Sequence, residues 1–407
     1  MFPSPMNPIW SWLSLWSNKE DQPESEQDQG GEPPSEEPPQ QEPPQGEATP
    51  ELAATPKQLE IPLPLQPGPV LVDVQGLTLD ESERERLKHP LVGGVILFSR
   101  NYQSPEQLRA LTDEIRAARS GPLLISVDHE GGRVQRFRNQ GFTPLPSMQA
   151  LGEYWDTNPL WAMRAATEIG FVLASELRAC GVDFTFAPVL DLDYGVSTVI
   201  GTRSFHRDPR VVTMLARALI QGLAQAGMAA CGKHFPGHGF VDADSHIAIP
   251  VDERELEEIM VEDAMPYEWL SDMILPAVMP AHVIYPKVDE KNAGFSKIWI
   301  QKILRQRLKY KGMVFSDDLT MEGASVAGDI VARANAALSA GCDMVLVCNR
   351  PDLADQLLNG LDIEPKPEST QRLLRLLPHY VFMNWEQLQA DARYQDAREF
   401  QHSLFSK

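Results

Sequence analysis

Two short stretches hold side chains able to break a covalent bond. Asp317 and Asp318 follow the apolar run 313–316. Asp244-Ser-His246 ends the stretch 231–246, which packs three histidines, two aspartates, one lysine and three glycines into sixteen residues. Apolar residues lead into that stretch from Met228 and no helical period crosses it, so it reads as a buried strand followed by a long loop. Titratable side chains gathered on a loop beside a rigid scaffold point to function. An aspartate facing a sugar's anomeric carbon can form a covalent glycosyl intermediate, the first half of a retaining mechanism. It can equally be a base or a metal ligand, and one of the Asp317–Asp318 pair is expected to cap the turn that follows. Cleavage also needs an acid on the leaving oxygen. Residues two apart in extended chain share a side, so Asp244 can hold one ring nitrogen of His246 and aim the other outward. A neighbouring carboxylate favours imidazolium near neutral pH, and imidazole can then give a proton in one step and take one in the next.

Other polar candidates fall where apolar runs end. Asp128 follows the run 123–127, and Lys233 and His234 end the run that starts at Met228. Arg133, Arg136 and Arg203 bring planar, multi-donor heads suited to hydroxyls and carboxylates. His234, His238 and His246 with Asp128, Asp244 and Asp317 can also be read as a metal set on a hydrolase. The set lacks a helical His-x-x-x-His pair and a His-x-His after the first strand, so metal chemistry ranks behind glycoside chemistry.

The elements that must carry these groups alternate. Apolar runs at 70–74, 93–99, 123–127, 184–190, 228–233, 277–283, 313–316 and 344–348 read as buried strands, each followed by helical sequence. Ser104-Pro-Glu-Gln107 predicts a helix start, with Ser104 as cap, Pro105 at the first position and Gln107 completing a capping box. Val211, Leu215, Leu219 and Leu223 mark the buried side of a helix opened by Asp208-Pro209. Eight strand–helix units predict an α/β fold, a single (β/α)8 TIM-type barrel, over a doubly wound open sheet. Asp128, Lys233, His234, His282, Asp317 and Asn349 all sit at C-terminal strand ends. A barrel brings those ends to one face, whereas an open sheet leaves distant strands apart. No Gly-x-Gly-x-x-Gly follows the first strand, so a dinucleotide fold has no support.

Composition divides the chain of 407 residues. Residues 1–60 are Pro, Glu, Gln and Ser rich, carry twelve acidic residues against two lysines, and are expected to be a disordered extension. About half of the net charge of −21 sits there. The barrel is expected over 61–385, with 386–407 as a peripheral helical tail. An acidic balance argues against nucleic acid as partner. Cys180, Cys231, Cys342 and Cys348 lie in or beside apolar segments without a Cys-x-x-Cys pair, which reads as buried thiols in a reducing compartment. No apolar run approaches the roughly 20 residues of a membrane span. The aromatic segment Trp10 to Trp16 lacks a basic flank and makes a poor secretory signal.

Three separated motifs then carry a resemblance. Lys233-His-Phe-Pro-Gly-His-Gly with Asp244-Ser-His246, Asp128-His-Glu-Gly-Gly-Arg-Val-Gln-Arg136 and Phe315-Ser-Asp-Asp-Leu-Thr-Met321 together resemble the bacterial β-N-acetylhexosaminidases of glycoside hydrolase family three. The likeness covers about 69–359 and is nearest to the single-domain cytoplasmic enzymes that recycle cell-wall fragments. It implies Asp317 as nucleophile, His246 as general acid/base and Asp244 as its partner. Asp128, Arg136, Arg203, Lys233 and His234 match sugar-binding positions. The implied reaction is hydrolysis of terminal, non-reducing β-linked N-acetylglucosamine, with N-acetylglucosaminyl-anhydro-N-acetylmuramic acid as expected substrate, with or without peptide. Neither metal nor organic cofactor is implied, and a cytoplasmic monomer is expected. His129 departs from the glutamine expected there, and the acidic extension is outside the family pattern. Two-domain relatives that cleave glucosides take their acid from a second domain, for which this chain has no room. A phosphorylase, a metal hydrolase and a silent sugar-binding protein are the competing readings.

Overall fold

The computed structural model describes residues 66–242 and 249–405. The expected extension 1–60, and with it Trp10 to Trp16, lies outside them, as do Asp244 and His246. Among the described residues an eight-stranded parallel sheet follows chain order: β1 Val70–Asp73, β2 Val92–Leu97, β3 Leu124–Val127, β4 Phe184–Thr185, β5 Cys231–Phe235, β6 Ala277–Pro280, β7 Met313–Asp318 and β8 Met344–Leu346. β8 pairs back onto β1 through Val70–Val345 and Leu71–Leu346. The bridges Phe184–Ala229 and Val189–Lys233 close the ring between β4 and β5, giving the expected (β/α)8 barrel. β4 is shorter than its apolar run because Pro188 has no N–H to donate to a ladder. The rest of that run reaches β5 by scattered bonds, such as Leu190 N–H to the Lys233 carbonyl at 2.7 Å.

Strand periodicity explains both the core and the site. Leu71, Ile96, Leu124, Phe184, Cys231, Ala277, Phe315 and Leu346 form one buried cluster inside the barrel. Their neighbours Val70, Val72, Val95, Ile125, Val278, Val314 and Val345 belong to a second cluster, under the helices. Successive side chains alternate faces. Continuing each inward series toward the C-terminal strand ends leads from Ile96 to Phe98, from Leu124 to Asp128, from Cys231 to Lys233, from Phe315 to Asp317 and from Leu346 to Cys348. All five of these end points line one cleft. The rings of Phe184, Phe186 and Phe315, with centroids 5.2 to 5.6 Å apart, plug the barrel beneath it.

The helices mostly follow their sequence signals. Ser104 caps Pro105–Ala117 by accepting from the Gln107 N–H at 3.2 Å. Gln107 reaches one residue further back than a capping box requires, accepting from the Gln103 N–H at 2.8 Å. Asp208 caps Pro209–Gln225, whose Val211, Leu215, Leu219 and Leu223 are buried. That helix crosses Pro159–Ala179 so closely that a Cβ at Gly222 would lie 2.0 Å from the Thr167 carbonyl oxygen, so only glycine fits. The last helix, Ala392–Phe405, packs on Pro159–Ala179 and buries Tyr394.

Candidate active site

The cleft at the C-terminal strand ends has a volume of about 550 Å³, in the range of small-molecule sites. A second cavity of about 180 Å³ lies at the opposite end, beside Pro67, Met313 and Leu373. Its buried carboxylate, Asp343, is occupied by Arg305 at 2.9 Å and Arg372 at 2.7 Å. That end is therefore a structural junction, and the polar cleft is the candidate site.

Lys233 stands at the centre of the charge arrangement. It is 3 % exposed, with Nζ 2.7 Å from Asp128 Oδ1 and 2.8 Å from Glu130 Oε1. Arg203 grips the same Glu130 through two bonds of 2.8 Å. Arg136 lies 3.5 Å from the other oxygen of Asp128 and over the Phe98 ring. Burial alone would push both carboxyls up. The cations win: Lys233 and Arg136 hold Asp128 below the usual carboxylate range, and Arg203 and Lys233 hold Glu130 well below it. Arg133 is committed to the carbonyls of Thr198 and Val199.

Seven sequence candidates, Asp128, Arg133, Arg136, Arg203, Lys233, His234 and His238, thus line one cleft with Asp317. Lys233 arrives by strand parity. His234 is its immediate neighbour, yet it lines the same cleft. The β5–β6 ladder shifts register between Lys233 and Phe235, the kind of irregularity that re-aims a side chain. Glu130 and Asp191 are buried partners that sequence reasoning left without a role. Asp191 Oδ2 is 2.7 Å from His234 Nδ1, and Oδ1 accepts from the backbone N–H groups of His234 at 3.1 Å and His238 at 2.7 Å. Burial raises its pKa, but His234 more than offsets this and Asp191 is held below the usual range. An ionised Asp191 only accepts, so His234 donates to it from Nδ1. Asp191 follows an apolar run just as Asp128 and Asp317 do, so the same rule would have found it.

Asp317 and Asp318 divide as the sequence suggests. Asp318 Oδ1 accepts from the N–H groups of Thr320 at 2.9 Å and Cys348 at 3.2 Å, and Oδ2 from the Thr320 hydroxyl at 2.8 Å. It caps the turn, and burial pushes its pKa up to about 7. The Asp317 side chain takes one of these backbone bonds, from the Asp318 N–H at 2.8 Å. Burial is opposed by His282, His234 and that N–H, and the net direction is down. His282 is itself buried, which pushes its pKa down, and it donates from Nε2 to the Asp318 carbonyl at 3.0 Å. Asp317 is therefore an ionised carboxylate at the cleft floor, where nucleophilic chemistry needs one. His129 is not in the cleft. It is fully buried between the rings of Phe137 and Phe142, and burial pushes its pKa down to about 3. Among the described residues no three His, Cys, Asp or Glu side chains converge to hold a metal ion. The cleft's Asp128 and Glu130 face Lys233, Arg136 and Arg203 instead.

The pattern described as the glycosyl hydrolase family 3 N terminal domain matches residues 60–376. The chain belongs to glycosyl hydrolase family 3. Within that family its likeness is to the β-hexosaminidases. A protein named beta-hexosaminidase from Bordetella avium is 67 % identical over 342 residues, covering 84 % of this chain and 97 % of that one. The crystal structure of native NagZ from Neisseria gonorrhoeae superposes with a TM-score of 0.80 at 49 % identity, covering 85 % of this chain and all of that one. The same protein in complex with N-trifluoroacetyl-D-glucosamine matches with a TM-score of 0.79 at 49 % identity, covering 84 % of this chain and 99 % of that one. This chain is a glycoside hydrolase of the single-barrel type.

Proposed function

We propose that this family 3 hydrolase is a retaining exo-β-N-acetylglucosaminidase acting on peptidoglycan turnover fragments. Its substrate is N-acetylglucosaminyl-anhydro-N-acetylmuramic acid, with or without peptide. The observation that carries the reading is Asp317, ionised at the floor of a polar cleft that also holds Lys233, Asp128 and Arg136. In the first step an Asp317 carboxylate oxygen attacks the anomeric carbon, and its bond to the leaving oxygen breaks. Protonated His246, held by Asp244, delivers the proton to that oxygen. In the second step neutral His246 takes a proton from water. The resulting hydroxide displaces Asp317 and releases N-acetylglucosamine with its β configuration retained. Asp128, Lys233, His234 and Arg136 hold the sugar's hydroxyls, and Arg203 holds Glu130, which braces Lys233. The name beta-hexosaminidase of the Bordetella avium relative and the glucosamine derivative bound to the Neisseria gonorrhoeae NagZ support the hexosamine class.

Four free, buried cysteines fit a reducing, cytoplasmic setting. Among the described residues no helix is long and apolar enough to cross a membrane. The direct test uses a slowly turned-over fluorinated N-acetylglucosaminyl substrate and mass spectrometry of the digested protein. A covalent sugar on the peptide holding Asp317 is expected, and a label elsewhere refutes the assignment. In phosphate buffer the product should be free sugar, since a 1-phosphate product would identify a phosphorylase. Activity lost to a chelator and restored by metal would favour the metal reading.

A further inference from the structure

Both ends of the segment that carries Asp244 and His246 meet on one guanidinium. Phe240, four residues before Asp244, lies against the Arg254 head, with Cζ 4.0 Å from the ring centroid. Asp252, six residues after His246, takes the edge of the same head, at 3.0 Å from Nε and 2.7 Å from Nη2. We propose that Arg254, with Phe240 and Tyr194, forms a positioning junction that sets where the acid/base dyad of this enzyme stands. The inference rests on the reading that His246 is the general acid/base.

The junction is built rather than incidental. Arg254 is 10 % exposed in its side chain, and its Nη1 also reaches the Tyr194 hydroxyl and Asp263 Oδ2, each at 2.8 Å. Tyr194 presents its ring to Phe240 edge-on, with centroids 5.1 Å apart and planes at 89°. Its other side is covered by Arg207, 3.9 Å away, which is tied to Glu262 at 3.0 Å. Beyond the junction each end is fixed to the strand Ile284–Tyr285, which follows β6. The Tyr285 hydroxyl donates to the Gly237 carbonyl at 2.6 Å. The Asp252 N–H donates to the Ile284 carbonyl at 2.9 Å, and the Ile284 N–H to the Pro250 carbonyl at 3.0 Å. Gly239 lies so close to the wall that a Cβ there would meet the Leu192 carbonyl oxygen at 1.9 Å.

Only arginine offers a flat face for an aromatic ring and a two-donor edge for a carboxylate at the same time. Phe240 is 41 % exposed, far more than packing alone would leave a core ring. Its large contacts are with the junction, so removing the ring loosens one end of the segment without opening the barrel core. Misplacing a proton donor by about 1 Å can cost about a hundredfold in rate. The loss should fall on substrates that need the proton most.

The test compares kcat/KM, which reports the glycosylation step, on an N-acetylglucosaminyl disaccharide and on a 4-nitrophenyl N-acetylglucosaminide. Phe240→Ala is expected to lose about tenfold or more on the disaccharide and less than about threefold on the aryl glycoside. Phe240→Tyr keeps the ring and should restore both. Arg254→Lys keeps the charge but loses the fork, and should behave like Phe240→Ala. Melting curves establish that each variant is folded, and His246→Ala is the reference. If His246→Ala discriminates between the substrates and Phe240→Ala does not, the junction is merely structural and the inference falls alone. If His246→Ala itself fails to discriminate, the acid/base assignment falls and the inference with it.

Discussion

Glu130 and Glu176 are both buried, yet their pKa values are pushed in opposite directions. Glu130, in the barrel mouth, sits between Lys233 and Arg203 and is held well below the usual carboxylate range. Glu176, on the helix Pro159–Ala179, is met by the Thr143 N–H and hydroxyl and by the Tyr394 hydroxyl at 2.7 Å. Burial dominates there, and its pKa is pushed up to about 7. Hydrogen bonds alone do not repay the removal of a carboxylate from water, whereas two contacting cations do. The difference separates a site from a scaffold. The mouth carries net charges fixed in place before substrate arrives, and the outer layer tolerates a carboxyl that can stay neutral.

Substitutions can break or sharpen this contrast. The largest effect is expected at Asp317, the cleft carboxylate with the least protein to hold. Asp317→Asn should lower turnover of an aryl N-acetylglucosaminide by at least about 10⁴-fold with an unchanged melting temperature. Near-normal turnover would remove the nucleophile from the scheme. Next comes Lys233→Met, which leaves Asp128 and Glu130 without their shared cation. It should cost roughly 3–5 kcal/mol in urea unfolding, as breaking buried ion pairs does. A loss under about 1 kcal/mol would mean that the cation is not what holds the mouth together.

Glu176 gives the opposite pH signature. Its folded pKa lies above the unfolded value of about 4.5, so its contribution is complete below that value. It falls as pH rises and levels off above about 7. The span between those values amounts to roughly 3 kcal/mol. Glu176→Gln should remove that slope from the pH dependence of unfolding, whatever constant offset the amide brings. A slope that survives the substitution belongs to another group. The smallest effect is expected from Tyr394→Phe, which deletes one hydroxyl bond to Glu176 and should cost about 1 kcal/mol. Loss of folding would show that Ala392–Phe405 contributes far more than this bond.

Local pattern encodes much of this barrel. The inward parity of each strand could be followed from apolar residues to Asp128, Lys233 and Asp317 because a barrel interior has one axis and a period of two. The chemistry of the Asp317–Asp318 pair was legible as one free carboxylate and one cap. The apolar run 184–190 outlasts strand β4 because hydropathy is blind to the missing donor at Pro188. The stretch 296–310 has its residues spaced in the manner of an ordinary amphipathic helix. It contains a helix of wider π turns over Ile298–Arg307, which conserves the buried side without being visible in residue type.

The amino-acid sequence by itself determined the barrel, the face that carries the site and the strand-end residues Asp128, Lys233 and Asp317 that line it, since these depend on periodicity and on chemistry at strand ends. Tertiary structure alone decided which groups hold one another. Lys233 meets Asp128 across 105 residues, Arg203 meets Glu130 across 73, and His234 meets Asp191 across 43. Arg254 gathers Phe240 and Asp252 from the two ends of one segment. Such pairings arise from strand register and barrel closure, which set distances between side chains that no local spacing encodes. The charge states follow from those distances, because a buried carboxyl is ionised or neutral according to the cation that the fold brings beside it.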